Sequence, residues 1–122
     1  MDCCKPLFEI KLRYFEEILS VLKKFDDYID QKICLMISKN VSNIYMIVND
    51  EFANVPGACI VNIQTERNIE LELDLKEFRE TIFRFSYSEN PFIISDKIHD
   101  MMLVGEGKGC GFGIPIKSIK IY

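Results

Sequence analysis

Glycine stands at every second position from Gly105 to Gly113, GEGKGCGFG, with Lys108 among them, which makes this the stretch most suggestive of a bound phosphate. A phosphate-cradling loop sets its glycines between a strand and a helix N-terminus, where free amides converge. Here a strand-like run follows and no Gly-Lys-Ser/Thr triplet occurs. The pattern predicts the tip of a mobile β-hairpin, with Lys108 the one cation a phosphate could meet there. His99, the only histidine, lies near Asp96 and Asp100, but a base and its orienter need a nucleophile, and no serine or cysteine is placed by a recognisable motif. Glu70, Glu72 and Asp74 line one strand face with carboxylates that could draw a divalent cation. A solvated face is the simpler reading of them. Cys3, Cys4, Cys34, Cys59 and Cys110 contain no CxxC pair, and one histidine cannot complete a four-ligand zinc site with such scattered thiols. Cys34 and Cys59 fall in apolar runs and are expected to pack as small hydrophobes. The expectation is a protein without enzymatic activity, metal or cofactor.

The remaining chemistry is basic. Arg13, Lys23 and Lys24 belong to one helical stretch and Lys76, Arg79 and Arg84 to another, mixed with Glu16, Glu17 and Asp27 in the first and Glu77 and Glu80 in the second. Mixed signs usually mean a solvated helix face. The cations could still track a phosphate backbone if several such helices converged. A net charge of −4 argues against an indiscriminate nucleic-acid binder but leaves room for a locally basic groove.

Two hydrophobic periods position these residues. Ile69, Leu71, Leu73 and Leu75 alternate with Glu70, Glu72 and Asp74, the period of a strand with one wet face. At Leu75 the period changes: Leu75, Phe78, Ile82 and Phe85 recur at helical steps, so the chain passes directly from strand to amphipathic helix. Asp74 is the expected N-cap, with Glu77 three residues on. The same grammar opens the chain, where Phe8, Ile10 and Leu12 alternate before Phe15, Ile18, Leu19, Leu22, Phe25 and Ile29 form one helical stripe. Strands are expected at 33–37, 44–48 and 58–64, with Pro56-Gly57 suited to a type II turn. After a loop ending at Pro91, further strands are expected at 92–95, 100–104 and 113–122. Pro115 has no amide to donate, which predicts an edge or a strand start.

The outline is β-α-β-β-β twice, an α+β domain with two helices on one face of a curved antiparallel sheet, in pseudo-twofold halves. With 122 residues, 48% hydrophobic, one domain over 7–122 is expected behind a frayed 1–6. No apolar run approaches the roughly 18 residues of a membrane span, and no signal layout opens the chain, so an intracellular protein is expected.

In order, FEIKL with its long helix, ICLMISKNVSNIYMIVND, LELDLKEFRETIFRF and FGIPIKSIKIY resemble one domain of the DNA sliding clamps, the family of proliferating cell nuclear antigen and the heterotrimeric DNA-damage checkpoint clamp. The resemblance implies domains joined edge to edge into a ring whose helices line a channel around duplex DNA, a scaffold for replication, repair or checkpoint signalling, nuclear in a eukaryote. It implies DNA contacts by Arg13, Lys23, Lys24, Lys76, Arg79 and Arg84, sequence-independent and weak for one domain, with other clamp subunits or a second copy joined through edge strands. IPIKSIKIY and 44–48 are the expected edges. Two features depart from the family: one domain where clamp subunits have two or three, and Glu16 and Glu17 where replication clamps carry lysines. The alternatives are a regulatory or protein-interaction module that keeps this fold without encircling DNA, and a nucleotide binder using the Gly105–Gly113 loop.

Overall fold

The computed structural model describes residues 6–28, 32–39, 44–87, 92–97, 100–107 and 109–122. In chain order these form β1 (Phe8–Leu12), α1 (Phe15–Leu22), a 3-10 segment (Lys23–Tyr28), β2 (Lys32–Ile37), β3 (Tyr45–Val48), β4 (Glu51–Asn54), β5 (Cys59–Ile63), β6 (Ile69–Asp74), α2 (Leu75–Arg84), β7 (Phe92–Lys97), β8 (Met102–Gly107) and β9 (Cys110–Ile121). The fold is α+β. Its nine strands make one curled sheet, in the order β4-β3-β2-β6-β9-β8-β7-β1-β5, and all the pairings are antiparallel.

Alternation sets the faces. Ile69, Leu71 and Leu73 on β6, like Phe8, Ile10 and Leu12 on β1, are buried, while the residues between them are half-covered. Asp74 ends β6 in an extended conformation and its Oδ1 accepts from the Lys76 amide at 2.9 Å, which stops the strand and starts α2 in one residue. The α2 stripe of Leu75, Phe78 and Ile82 is buried, with Phe85 packed beside it. These side chains, those of α1 and the inward residues of both ends of the sheet form one hydrophobic cluster. Burying each such Leu, Ile or Phe contributes about 1.5–3 kcal/mol. α1 lies against α2, so both helices share the inner face of the sheet.

The structure departs from the sequence reading in several places. The first helix is shorter than its stripe: it ends at Leu22, and in the 3-10 segment Phe25 leaves helical dihedrals (φ −111°, ψ 21°) yet stays buried. An Asp pair, poor for a helix interior, follows directly. The stretch before Pro56 contains an unexpected strand, β4, joined to β3 through Asn49 and Asp50, both at positive φ. That strand takes the edge, so 44–48 is interior, with β3 between β2 and β4. Pro115 sits within the long β9, where β9 leaves β8 for β6 and only one side need be paired. Cys59 is exposed and Cys34 half-buried, so neither packs in the core. Pro56-Gly57 behaves as expected: Gly57 has φ +71° and Ala58 N donates to Val55 O at 3.3 Å.

Two bulges retune the alternation. On β5, Ile60 faces Ile10 and Asn62 faces Glu9, leaving Val61 extra. On β9, Ile116 faces Leu73 and Ser118 faces Glu72, leaving Lys117 extra. Each extra residue shifts the side-chain phase by one. Ile119 and Ile121 therefore come opposite Leu71 and Ile69, which repairs the imperfect alternation after Pro115.

Candidate nucleic-acid interface

The outward side of α2 is built by the same period that buries its inner side. Lys76, Glu77, Glu80, Phe83 and Arg84 are exposed, and Arg79 is half-buried at the flank. On the neighbouring stretch Arg13, Tyr14, Glu16, Glu17, Lys23 and Lys24 are exposed, with Lys23 and Lys24 in the 3-10 segment. The two helices leave a groove of about 560 Å³ between them, lined by Leu19, Arg79, Glu80, Phe83 and Arg84. A second depression, of about 220 Å³, is lined by Glu77, Glu80, Thr81, Arg84, Gly113 and Pro115. Arg84 borders both.

Of the six cations read from the sequence, Arg79 and Arg84 share the groove. Arg13 borders a separate depression with Tyr14, Phe15, Glu16, Glu17 and Ser86. Lys23, Lys24 and Lys76 are exposed on the same elements but line neither of these. Lys108 and His99 lie outside the described residues, as do Cys3 and Cys4.

Sequence reasoning missed the aromatic residues on this face. Phe83 is 59% exposed and Tyr87 79% exposed, and their rings meet edge to face with centroids 6.4 Å apart. The signal was present in the period, since Phe83 falls outside the Leu75, Phe78, Ile82, Phe85 stripe.

Two glycines of the repeat have a packing explanation. A side chain at Gly105 would collide with the Phe112 ring, and one at Gly107 would come within 2.8 Å of the Phe92 ring. Those rings belong to an aromatic cluster in which Phe85, Phe92 and Phe112 lie with centroids 4.7–5.7 Å apart and Phe15 meets Phe92 edge to face. Gly105 to Gly107 are in β8 and Cys110 to Gly113 in β9, so strands occupy most of the expected loop.

On the outer face of the sheet, Cys34 sits among Glu70, Glu72 and Lys120. Burial, reinforced by the charge and hydrogen bond of Glu70 and then the charge of Glu72, pushes its thiol up to about 11. Lys32 pairs with Glu72 at 3.2 Å and the Tyr122 hydroxyl donates to Glu70, so both carboxylates of this strip have partners among their neighbours. Among the described residues no group of three or more His, Cys, Asp or Glu could hold a metal ion. None of their helices is long and apolar enough to cross a membrane. The sequence matches no protein-family model and has no significant match among curated proteins.

Proposed function

We propose that the chain is a non-enzymatic, sliding-clamp-like scaffold domain whose helix face contacts duplex DNA without reading sequence, and whose open strand edges join it to further clamp domains or copies of itself. The strand pairing carries this reading. Exchange β1 with β6, β2 with β7, β3 with β8, β4 with the first half of β9, and β5 with its second half. The pairing β1–β5 then becomes β6–β9, β1–β7 becomes β6–β2, β2–β3 becomes β7–β8, and β3–β4 becomes β8–β9. The bulges correspond too, Val61 against Glu9/Ile10 and Lys117 against Glu72/Leu73. This interchange supports two equivalent halves, the pseudo-twofold arrangement that the resemblance to clamps implies, with α1 and α2 as counterparts on one face; the second half is βαβββ, and the first has one strand more because β4 and β5 together answer to the long β9.

The contribution to DNA binding is electrostatic. Each phosphate contact steepens the salt dependence by about 0.9 log units per log salt on duplex DNA, so one domain with a few contacts binds weakly and a ring is needed for retention. The test is charge reversal of Lys76, Arg79 and Arg84 to Glu, read by duplex binding at low salt and by thermal unfolding. Loss of binding with unchanged unfolding supports the reading; no binding in the unaltered protein sinks it. The exposed Glu16 and Glu17 on α1 favour one competing reading, a regulatory module that keeps the fold without DNA. Recovery of replication or clamp-loading proteins from the native source, against recovery of unrelated ones, separates the two.

A further inference from the structure

We propose that Phe83 and Tyr87 make the helix face a stacking site for unpaired bases, so that the domain binds single-stranded DNA in preference to duplex. The inference rests on the reading of this face as the one that meets DNA and names the form of DNA it takes. Phe78, five residues before Phe83 on α2, is 2% exposed, whereas Phe83 near the helix end and Tyr87 three residues beyond it are 59% and 79% exposed. Their edge-to-face contact leaves ring surface open to solvent. Two exposed rings in contact form a small apolar patch that a flat ligand can cover. Phe83 lines the groove together with Arg79 and Arg84, over an apolar floor supplied by Leu19.

A duplex can use only the cations of that combination. Its bases are closed in the stack, and it offers only phosphates, at about one charge per 1.7 Å of axis. Glu80 lines the groove and Glu77 is exposed on the same helix, where they offset part of the attraction of the cations for a dense phosphate array and keep duplex contact weak. A single strand has half that charge density and presents π-faces that stack on aromatic side chains whatever the sequence. Rings beside arginines on a protein of net charge −4 suit the ligand that depends less on charge. The chemistry therefore points to unpaired bases on Phe83 and Tyr87, with the guanidinium groups on the adjoining phosphates.

The experiment compares a labelled oligothymidine with a duplex of equal length, using the full chain. Oligothymidine should bind more tightly and lose less affinity as salt rises. Phe83→Ala with Tyr87→Ala should weaken it by about tenfold or more, the scale of one lost base stack, while duplex binding stays unchanged. The chain has no tryptophan, so Phe83→Trp installs a single reporter that keeps the ring. Its fluorescence should be quenched by oligothymidine and not by duplex. Equal binding of the two forms, an equal loss on both in the alanine variant, or no quenching would overturn the inference. So would a patch whose removal abolishes self-association in sedimentation while leaving oligothymidine binding intact, because a second copy would then be the occupant. If duplex binding responds to Lys76, Arg79 and Arg84 reversal but oligothymidine shows no preference, the inference falls and the scaffold reading stands. If neither form binds, both fall.

Discussion

Asp96 on β7 accepts the amide of Phe8, the first residue of β1, at 2.9 Å from a position only 3% exposed. Its other oxygen, Oδ2, has no hydrogen-bond partner among the described residues. Burial pushes the Asp96 carboxyl above its ordinary value of 3.8, against the opposing pull of the Phe8, Asp96 and Leu7 amides. The folded state therefore holds this proton more tightly than the unfolded chain. Stability from this group is fully present below pH 3.8 and falls as pH rises through the folded-state value. Asp96→Asn keeps an acceptor for Phe8 and removes the charge, so it should flatten that part of a urea-unfolding profile against pH. Asp96→Ala should cost about 1–3 kcal/mol by leaving the Phe8 amide unpaired in a buried site. A profile identical in the wild type and Asp96→Asn would refute the assignment.

The ring of Tyr14 lies directly over Gly57, whose φ of +71° belongs to the turn between β4 and β5. Gly57→Ala meets both obstacles, a left-handed backbone and the Tyr14 ring, and should destabilise by about 1–3 kcal/mol. Tyr14→Ala relieves only the second. In a double-mutant cycle the pair should be less destabilising than the sum of the singles, and strict additivity would show that the ring is not the obstacle.

Phe78 and Phe83 lie five residues apart on α2 and should behave oppositely. Phe78→Ala empties a fully buried site and should cost about 3–5 kcal/mol, a large share of the roughly 5–15 kcal/mol that holds a domain folded. Phe83→Ala should stay within about 0.5 kcal/mol by denaturant unfolding. A large loss at Phe83 would mean that its ring supports α1 and α2, which would also remove it as a free stacking surface.

What could be read in the sequence were the elements that signal themselves locally. β6 and α2 were legible because one face of each follows a clean period and Asp74 marks their junction. β4 was not, because Glu51 to Asn54 shows no alternation and only Ala53 is partly covered. The Asn49-Asp50 pair, two residues tolerant of positive φ, was the available sign of that hairpin. Ile60/Ile63 and Ile116/Ile119, each spaced by three, similarly recorded the bulges. Strand order was hidden, since nothing local says that β9 bridges β8 and β6, and so the interior place of β3 could not be foreseen. The same holds for the candidate site: the cations were visible singly, but which of them share a groove with Phe83 depends on how α1 meets α2.

Cys34, Cys59 and Cys110 should differ in reactivity. The Cys34 thiol, held at about 11 by burial and the neighbouring Glu70 and Glu72, carries almost no thiolate at mildly alkaline pH. Cys59 and Cys110 are exposed. Iodoacetamide labelling followed by peptide mass analysis should find Cys59 and Cys110 modified before Cys34, and Glu70→Gln should speed Cys34 by removing an adjacent charge. Labelling of Cys34 at the rate of the other two would show that its carboxylate neighbours do not hold it in the thiol form.

The scaffold reading makes its own demand on the strand edges. β5 closes one end of the sheet and β4 the other, while β9 beyond Ile116 is paired with β6 on one side and has no described strand on its β8 side. Bare edges recruit strands unless charge or a bulge blunts them. Here Val61 and Lys117 bulge, yet Val61 is 55% exposed and Ile121 46% exposed, leaving apolar side chains beside the β5 edge and the open side of β9. Sedimentation over a range of concentrations should therefore show reversible association. Val61→Lys with Ile121→Lys should shift it toward monomer with unfolding changed by no more than about 0.5 kcal/mol, since neither side chain is buried. Association that survives both lysines would move the contact away from these edges and, with it, the argument for a ring.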